Sequence, residues 1–126
     1  MKKVIETTEA PAPIGPYNQA ILVDKTLYAS GQIALDPKTM ELVNEDIQAE
    51  TTQVMKNLSA VLKAAGMDFT NVVKATIYLA DMGDFDLVNE VYGGYFNNDD
   101  APARETVQVA QLPKNVRVEI SVIAIL

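Results

Sequence analysis

Apolar residues recur with helical spacing in one long central stretch of the chain. Between residues 47 and 65 they return at every third or fourth position. The stripe consists of Ile47, Thr51, Val54, Leu58, Val61, Leu62 and Ala65. This spacing predicts an α-helix of about five turns. Asn44 or Asp46 can cap its start, and Gly66 can end it in the left-handed conformation.

Shorter apolar runs predict β-strands on either side of this helix. Residues 19–23 and 26–30 are β-prone, and the two-residue gap Asp24-Lys25 between them indicates a hairpin. A further turn is predicted at residues 35–38 (LDPK), and residues 72–79 form the apolar run of a buried strand.

The last third of the chain predicts a second helix and a terminal hairpin. Residues 85–96 predict a helix, with Phe85, Val88, Val91 or Tyr92, and Tyr95 on one side. Residues 103–109 and 116–125 then alternate in polarity around the turn sequence LPKN, which favours a long antiparallel hairpin.

These elements predict one α+β domain over residues 1–126. The proline-rich segment 7–16 fits an irregular N-terminal loop rather than a hinge between domains. The strands form a mixed β-sheet with two helices packed on one face. The other face also carries valine, isoleucine and leucine, so we expect copies of the same chain to bury it.

The composition narrows the chemistry that the chain can perform. It has 126 residues, 48% of them apolar, so a core can form without disulfides or metals. Cysteine and histidine are both absent, which removes thiolate nucleophiles, imidazole bases and the usual zinc ligands. No calcium loop or glycine-rich phosphate loop is found, and we expect neither a metal nor a cofactor.

The charge balance limits the partners of the protein. Seventeen acidic residues against ten basic ones give a net charge of −7, which argues against nucleic acid. No apolar run reaches the roughly 20 residues of a membrane helix, and the first ten residues lack the apolar core of a signal peptide. The sequence therefore predicts a cytoplasmic protein that does not bind membranes.

A candidate site arises from the alternation of the predicted terminal hairpin. If Val109 pairs with Val116, then Thr106 lies opposite Glu119 and Arg104 is a diagonal neighbour of that carboxylate. Arginine matches a ligand carboxylate with two parallel hydrogen bonds, and a glutamate can hold a water. From spacing alone, an ordinary structural ion pair is the more frequent interpretation.

Two further positions are ambiguous when taken alone. Tyr17 fits a packed aromatic residue with a solvated hydroxyl. Ser30 and Gly31, at a predicted strand end, fit either a β-bulge or a place where the backbone approaches a ligand.

The order of several motifs resembles a known family. Residues 102–120 (PARETVQVAQLPKNVRVEI) resemble the signature of the Rid, or reactive-intermediate deaminase, family, in particular the RidA-like imine deaminases. Residues 10–20, 27–37, 72–82 and 88–96 agree with it in order and spacing. The similarity covers essentially the whole chain.

The resemblance implies a fold, an assembly and an activity. The fold is chorismate-mutase-like, assembled as a homotrimer with a ligand cleft at each subunit interface. The activity is hydrolysis of reactive 2-enamine and 2-imino acids, such as 2-aminoacrylate and 2-iminobutyrate, to 2-oxo acids and ammonia. This reaction needs no cofactor and limits the damage that such intermediates cause.

The resemblance also implies roles for individual residues. Arg104 would clamp the substrate carboxylate, and Glu119 would position the attacking water. The implied substrate-binding residues are Tyr17, Ser30, Gly31, Phe85, Asn89 and Thr106. Two positions depart from the common pattern: Thr106 replaces a frequent cysteine, and Glu105 replaces a small residue and should face away from Arg104.

Two rival functions remain at this point. The same cleft can belong to a non-catalytic protein that binds or senses a small metabolite, since a fold does not determine function. A nucleic-acid enzyme is the third hypothesis, because ribonuclease activity has been attributed to some relatives, and the acidic charge balance opposes it.

Overall fold

The chain folds into one six-stranded sheet with two helices. A computed structural model describes residues 1–126. The strands are β1 (Lys2–Ile5), β2 (Ala20–Val23), β3 (Thr26–Gln32), β4 (Val72–Leu79), β5 (Ala103–Gln108) and β6 (Val118–Ile125), and the helices are α1 (Ile47–Ala64) and α2 (Phe85–Gly93). The sheet order is β1-β2-β3-β6-β4-β5, and of its neighbouring pairs only β4 and β5 are parallel. The predicted α+β class and mixed sheet are confirmed.

Helix α1 forms where its apolar period predicts it. Asp46 caps the start, since its Oδ1 accepts a hydrogen bond of 2.7 Å from the Ala49 backbone N–H. Gly66 follows the helix with a φ of +74°, the left-handed conformation expected for it. The apolar stripe is buried against the sheet and forms much of the core.

The other local predictions hold with small shifts. The β2–β3 hairpin forms without a glycine because Asp24 itself takes a positive φ of 53°. Strand β4 has its predicted limits. Helix α2 ends at Gly93, three residues before its predicted end. Beyond it, backbone hydrogen bonds of the 3₁₀ type, from each N–H to the carbonyl three residues earlier, continue to Phe96.

The predicted hairpin of the two last strands is wrong. Strand β4 lies between β5 and β6, so that Ile77 is aligned with Thr106 on one side and with Ile120 on the other. The turn at LPKN is a short 3₁₀ turn with positive φ at Lys114 and Asn115. The buried apolar strand β4 needs a partner along both edges, and this long-range requirement overrides the local hairpin signal.

Strand β1 was not predicted, because its first two residues are lysines. It pairs antiparallel with β2 at one edge of the sheet. Lysines are common on edge strands, where they discourage pairing with other chains. The charges that conceal this strand in the sequence are therefore those expected of its position.

Both helices cover the same face of the sheet. Residues on this face are almost completely buried beneath the helices; they include Ala75 of β4 and Val118 and Val122 of β6. On the opposite face, which we call the open face, Val4, Tyr28 and Ile123 lie in one row of the register. Tyr28 is 51% exposed there, so a large apolar surface is uncovered in the single chain.

No helix of the chain combines the length and the apolar character that crossing a bilayer requires.

An ion pair between a buried carboxylate and a partly exposed arginine joins α1 to the residue that precedes β6. The Glu50 side chain is 1% exposed and accepts 2.7 Å hydrogen bonds from both the backbone N–H and Nε of Arg117. Arg117 also donates from Nη2 to the Asn44 carbonyl oxygen at 3.0 Å. This contact fixes the chain two residues before Glu119.

We expect Glu50→Ala to lower the free energy of unfolding by about 2–4 kcal/mol, because it strands a partly buried guanidinium and a backbone N–H. Urea unfolding at fixed protein concentration measures the loss. Glu45→Ala removes an exposed carboxylate nearby and should change stability by no more than about 0.5 kcal/mol. Equal losses in the two variants would contradict the structural role of the buried pair.

Candidate active site

Arg104 and Glu119 lie on opposite faces of the sheet. Arg104 is aligned with Ala75, on the face that the helices cover. Glu119 is aligned with Tyr78, on the open face. The prediction that the two side chains are diagonal neighbours within one chain is wrong, because it assumed that β5 and β6 pair directly. Each residue instead belongs to a separate cluster of side chains. We call these two clusters the arginine half-site and the glutamate half-site.

The arginine half-site consists of Phe85, Asn89, Tyr92, Arg104 and Thr106. Arg104 Nη1 donates a 2.6 Å hydrogen bond to Asn89 Oδ1. The guanidinium carbon lies 5.6 Å from the centre of the Phe85 ring and 5.2 Å from that of Tyr92. Phe85 and Asn89, which the resemblance implies as substrate-binding residues, thus contact the arginine itself. The other guanidinium N–H groups remain available to an anion.

Two hydroxyl groups of the arginine half-site are buried without a hydrogen-bond partner. They are Tyr92 Oη and Thr106 Oγ1. Thr106 is on the same face as Arg104, two residues along β5. Because buried polar atoms in native proteins are almost always paired, the unpaired Thr106 hydroxyl indicates a place where a polar ligand or partner can bind.

The glutamate half-site consists of Tyr17, Gly31, Lys114 and Glu119. These residues share a cavity of about 270 Å³ with the proline-rich loop. Gly31 lies in a β-bulge, where Ser30 and Gly31 together oppose one residue of β6. A Cβ atom at Gly31 would lie 2.8 Å from the Glu119 carboxyl carbon, so only glycine allows the carboxylate to pack against this backbone.

Burial raises the pKa of the Glu119 carboxyl above its ordinary value. The side chain is half-buried, and no basic side chain forms an ion pair with it. General acid–base groups in proteins are often carboxyls whose pKa is raised in this way. Glu119 is therefore the candidate proton-transfer group of a chain without histidine.

Of the two predicted substrate-binding residues Tyr17 and Ser30, only Tyr17 lines the cavity beside Glu119. Tyr17 lines the cavity, is 48% exposed, and accepts a 3.3 Å hydrogen bond from the Ile14 N–H. Ser30 is absent from the cavity lining, and its hydroxyl donates to the Asn18 carbonyl oxygen at 2.6 Å. Within the chain, Ser30 therefore secures the loop that carries Tyr17.

Sequence reasoning missed Lys114 and Tyr92. Lys114 is the only basic side chain of the glutamate half-site cavity, and it was assigned only to a turn. Tyr92 was assigned only to the apolar side of α2, where its contact with Arg104 leaves no local signal in the sequence.

Glu105 faces away from Arg104, as alternation predicts. It lies on the open face, where it accepts 2.8 Å from Thr76 Oγ1 and pairs with Lys74 Nζ at 3.2 Å. These contacts, the threonine first, hold the pKa of the Glu105 carboxyl below its ordinary value. The acidic substitution is therefore separated from the arginine half-site by the thickness of the sheet.

No three histidine, cysteine, aspartate or glutamate side chains are grouped so that they could hold a metal ion.

The fold and its two half-sites define a small α+β protein with an arginine on one face of the sheet and a half-buried carboxylate on the other. The sequence model of the family described as endoribonuclease L-PSP matches residues 7–126. The human protein named 2-iminobutanoate/2-iminopropanoate deaminase is 53% identical over 125 residues, covering 99% of this chain and 90% of the relative. The mouse protein of that name is 55% identical, with 99% and 92% covered.

Solved structures agree with this similarity. A Rid-family protein from Yersinia pestis superposes with a TM-score of 0.96 at 48% identity, covering 100% of both chains. Escherichia coli TdcF, solved with bound serine, gives a TM-score of 0.92 at 40% identity, with 98% of each chain covered. The chain therefore belongs to the endoribonuclease L-PSP family, and its resemblance to the Rid proteins is confirmed.

The opposite pKa shifts of Glu119 and Glu105 predict opposite pH dependence of stability. A carboxyl with a raised folded-state pKa weakens folding as pH rises through the unfolded and then the folded pKa. Glu119→Gln should therefore be more stable than wild type at neutral pH, with the difference vanishing below the ordinary glutamate pKa. The free energy of unfolding, measured from pH 3 to 8 at fixed protein concentration, tests this.

Glu105→Gln is the matched control, because the folded pKa of Glu105 is lowered. Its carboxylate stabilises the fold at neutral pH, and that contribution is lost as pH falls through the folded pKa. The Glu105→Gln variant should thus be less stable than wild type at neutral pH and approach it in acid. A pH-independent difference for Glu119→Gln would show that its carboxyl is not perturbed by burial.

Proposed function

We propose that the protein is a hydrolytic deaminase that converts reactive 2-imino acids and their enamine tautomers to 2-oxo acids and ammonia. One observation carries the proposal: an arginine with free N–H donors and a half-buried carboxylate are both present in a chain 53–55% identical to proteins named for this reaction. The substrates of those relatives, 2-iminobutanoate and 2-iminopropanoate, are the first candidates. No cofactor takes part.

We further propose that residues 1–126 form one domain that assembles as a homotrimer, and that each active site combines the arginine half-site of one copy with the glutamate half-site of the next. Two features support this assembly. Arg104 and Glu119 are separated by the sheet, so one chain alone cannot present them to the same small ligand. The open face carries exposed Val4, Tyr28 and Val107, which a neighbouring copy would bury.

In the assembled site, Arg104 binds the substrate carboxylate through the N–H groups that Asn89 leaves free. The hydroxyl of Thr106, unpaired in the single chain, can hydrogen-bond the ligand beside it. Tyr17, Gly31 and Ser30 form the wall that the neighbouring copy contributes, with Ser30 acting through the loop that it secures. The reacting carbon is thereby held facing the Glu119 carboxyl.

The chemistry requires one water and the movement of protons. Glu119 accepts a proton from the water as its oxygen bonds to the imine carbon, and returns that proton to the nitrogen to give a carbinolamine. Glu119 then passes the hydroxyl proton to the amine nitrogen as the carbon–nitrogen bond breaks, so that ammonia leaves and the carbonyl of the 2-oxo acid forms. A carboxyl with a raised pKa suits both directions of transfer. Because an imine is already electrophilic, orientation supplies much of the acceleration.

A metabolite-binding protein without catalysis is the alternative. It would use the same arginine for an anion, but it would gain nothing from a carboxyl with a raised pKa. Ribonuclease activity, which the family description names, fits the net charge of −7 poorly. Binding to RNA through phosphates would weaken steeply with salt, whereas turnover of a small imine would not.

A coupled assay tests the proposal. A pyridoxal-phosphate threonine dehydratase generates 2-iminobutanoate, and the release of 2-oxobutanoate is followed with and without this protein. We expect acceleration by the wild type and a loss of at least about 100-fold in kcat/KM for Arg104→Ala, because a two-point charged contact is removed. Lys56→Ala removes an exposed cation of α1, outside both half-sites, and should keep full activity.

Three outcomes would contradict the proposal. If the folded, assembled wild type gives no acceleration with any of several amino-acid-derived imines, the metabolite-binding alternative is favoured. If Arg104→Ala retains the wild-type rate, Arg104 is not the carboxylate clamp. If Glu119→Gln retains both the rate and its pH profile, Glu119 does not have the proposed role.

A further inference from the structure

The two arginines of the chain are held in opposite ways. Arg117 is paired with the buried carboxylate of Glu50 at 2.7 Å, so its charge is balanced within the protein. Arg104 has no carboxylate of its own chain within ion-pair distance. It is held by the amide of Asn89 and by two aromatic rings, all of them uncharged.

Helix α2 places these three neutral contacts on one side. Phe85, Asn89 and Tyr92 are spaced by four and then three residues, so they lie in one line along the helix. Asn89 is exposed and Phe85 is half-buried, whereas Tyr92 is only 5% exposed. Tyr92 is therefore the most rigidly placed of the three contacts.

We propose that Tyr92 is a positioning residue for the substrate carboxylate: its buried ring fixes the Arg104 guanidinium and leaves the positive charge unbalanced, so that the site selects carboxylates over neutral ligands of the same shape. This inference rests on the proposed function only in taking Arg104 as the carboxylate contact.

The Tyr92 ring is itself fixed from behind. It packs against Phe96 at 4.7 Å between ring centres, and Phe96 packs against Phe69 at 5.4 Å. An arginine side chain on a surface strand loses considerable rotamer freedom when it is held in one place. The chain of packed rings supplies that order before the ligand arrives, which lowers the entropic cost of binding.

The chemistry of the ring suits this role. The face of an aromatic ring attracts a cation without neutralising it, whereas a carboxylate in the same place would compete with the ligand. The Tyr92 hydroxyl has no partner in the chain, so the contact with Arg104 runs through the ring. Burial raises the pKa of that hydroxyl, so it stays protonated and adds no negative charge.

Ligand binding without turnover tests the proposal, using the assembled wild-type protein and its variants. Isothermal titration measures the affinity for 2-oxobutanoate and for the neutral 2-oxobutanamide. Tyr92→Leu should weaken 2-oxobutanoate binding by about 3- to 30-fold, the range of a cation–π contact, and leave the amide unchanged. Tyr92→Phe, which keeps the ring, should bind 2-oxobutanoate within about twofold of the wild type.

Two companion variants separate positioning from general damage. Tyr95→Leu removes another ring of the same aromatic cluster, one that contacts Phe69 and not Arg104, and should leave both affinities unchanged. Tyr92→Met fills the space with a flexible side chain and serves if Tyr92→Leu does not fold. The NMR signal of the Arg104 Nε–H should broaden in Tyr92→Leu and Tyr92→Met and remain sharp in Tyr92→Phe.

The proposal is overturned if a folded Tyr92→Leu or Tyr92→Met binds 2-oxobutanoate as tightly as the wild type does. It is equally overturned if Tyr92→Phe or Tyr95→Leu loses as much affinity for 2-oxobutanoate as Tyr92→Leu. It is also overturned if affinity for the amide falls in parallel. Failure of the deaminase proposal gives a different pattern, in which no imine is hydrolysed while 2-oxobutanoate binding still depends on the Tyr92 ring.

Discussion

The placement of β4 between β5 and β6 is the constraint on which the rest of the structure depends. Because residues aligned across neighbouring strands share a face, this placement sends Arg104 to the helix-covered side and Glu119 to the open side. The two chemical groups of the chain are therefore separated by the thickness of one sheet. The open face of the same sheet carries exposed apolar side chains, and the proposed assembly would cover this face and bring the two groups together.

Electrostatics differs between the two half-sites in a way that fits their proposed tasks. Around Arg104 the chain uses only neutral contacts, although its net charge of −7 offers many carboxylates. Around Glu119, desolvation raises the pKa of the carboxyl, and the missing side chain at Gly31 leaves room for the carboxylate against the backbone. The proposed function thus assigns binding to an arginine without a charged partner in its own chain and proton transfer to a carboxyl with a raised pKa, in a chain without histidine or cysteine.

The sequence predicts the local elements well and the long-range pairing poorly. The helical stripe, the Asp46 cap, the Gly66 end and the limits of β4 follow from short-range periodicity and backbone preferences. The terminal hairpin fails because pairing between β4 and its two neighbours is a property of the whole sheet, and β1 is concealed by its lysines. For the site, the motifs predict Arg104 and Glu119 as the functional pair. Their faces depend on strand order, however, and the Tyr92 contact depends on tertiary packing.

Mixing two inactive variants tests the divided site most directly. Arg104→Ala and Glu119→Gln chains are unfolded together, refolded as mixed assemblies, and assayed for imine hydrolysis against each variant refolded alone. If every site takes Arg104 from one copy and Glu119 from the next, about a quarter of the sites in an equal mixture regain both residues. The account predicts that about this fraction of wild-type activity returns. A mixture as inactive as its components, with mixed assemblies demonstrated by mass spectrometry, would contradict it.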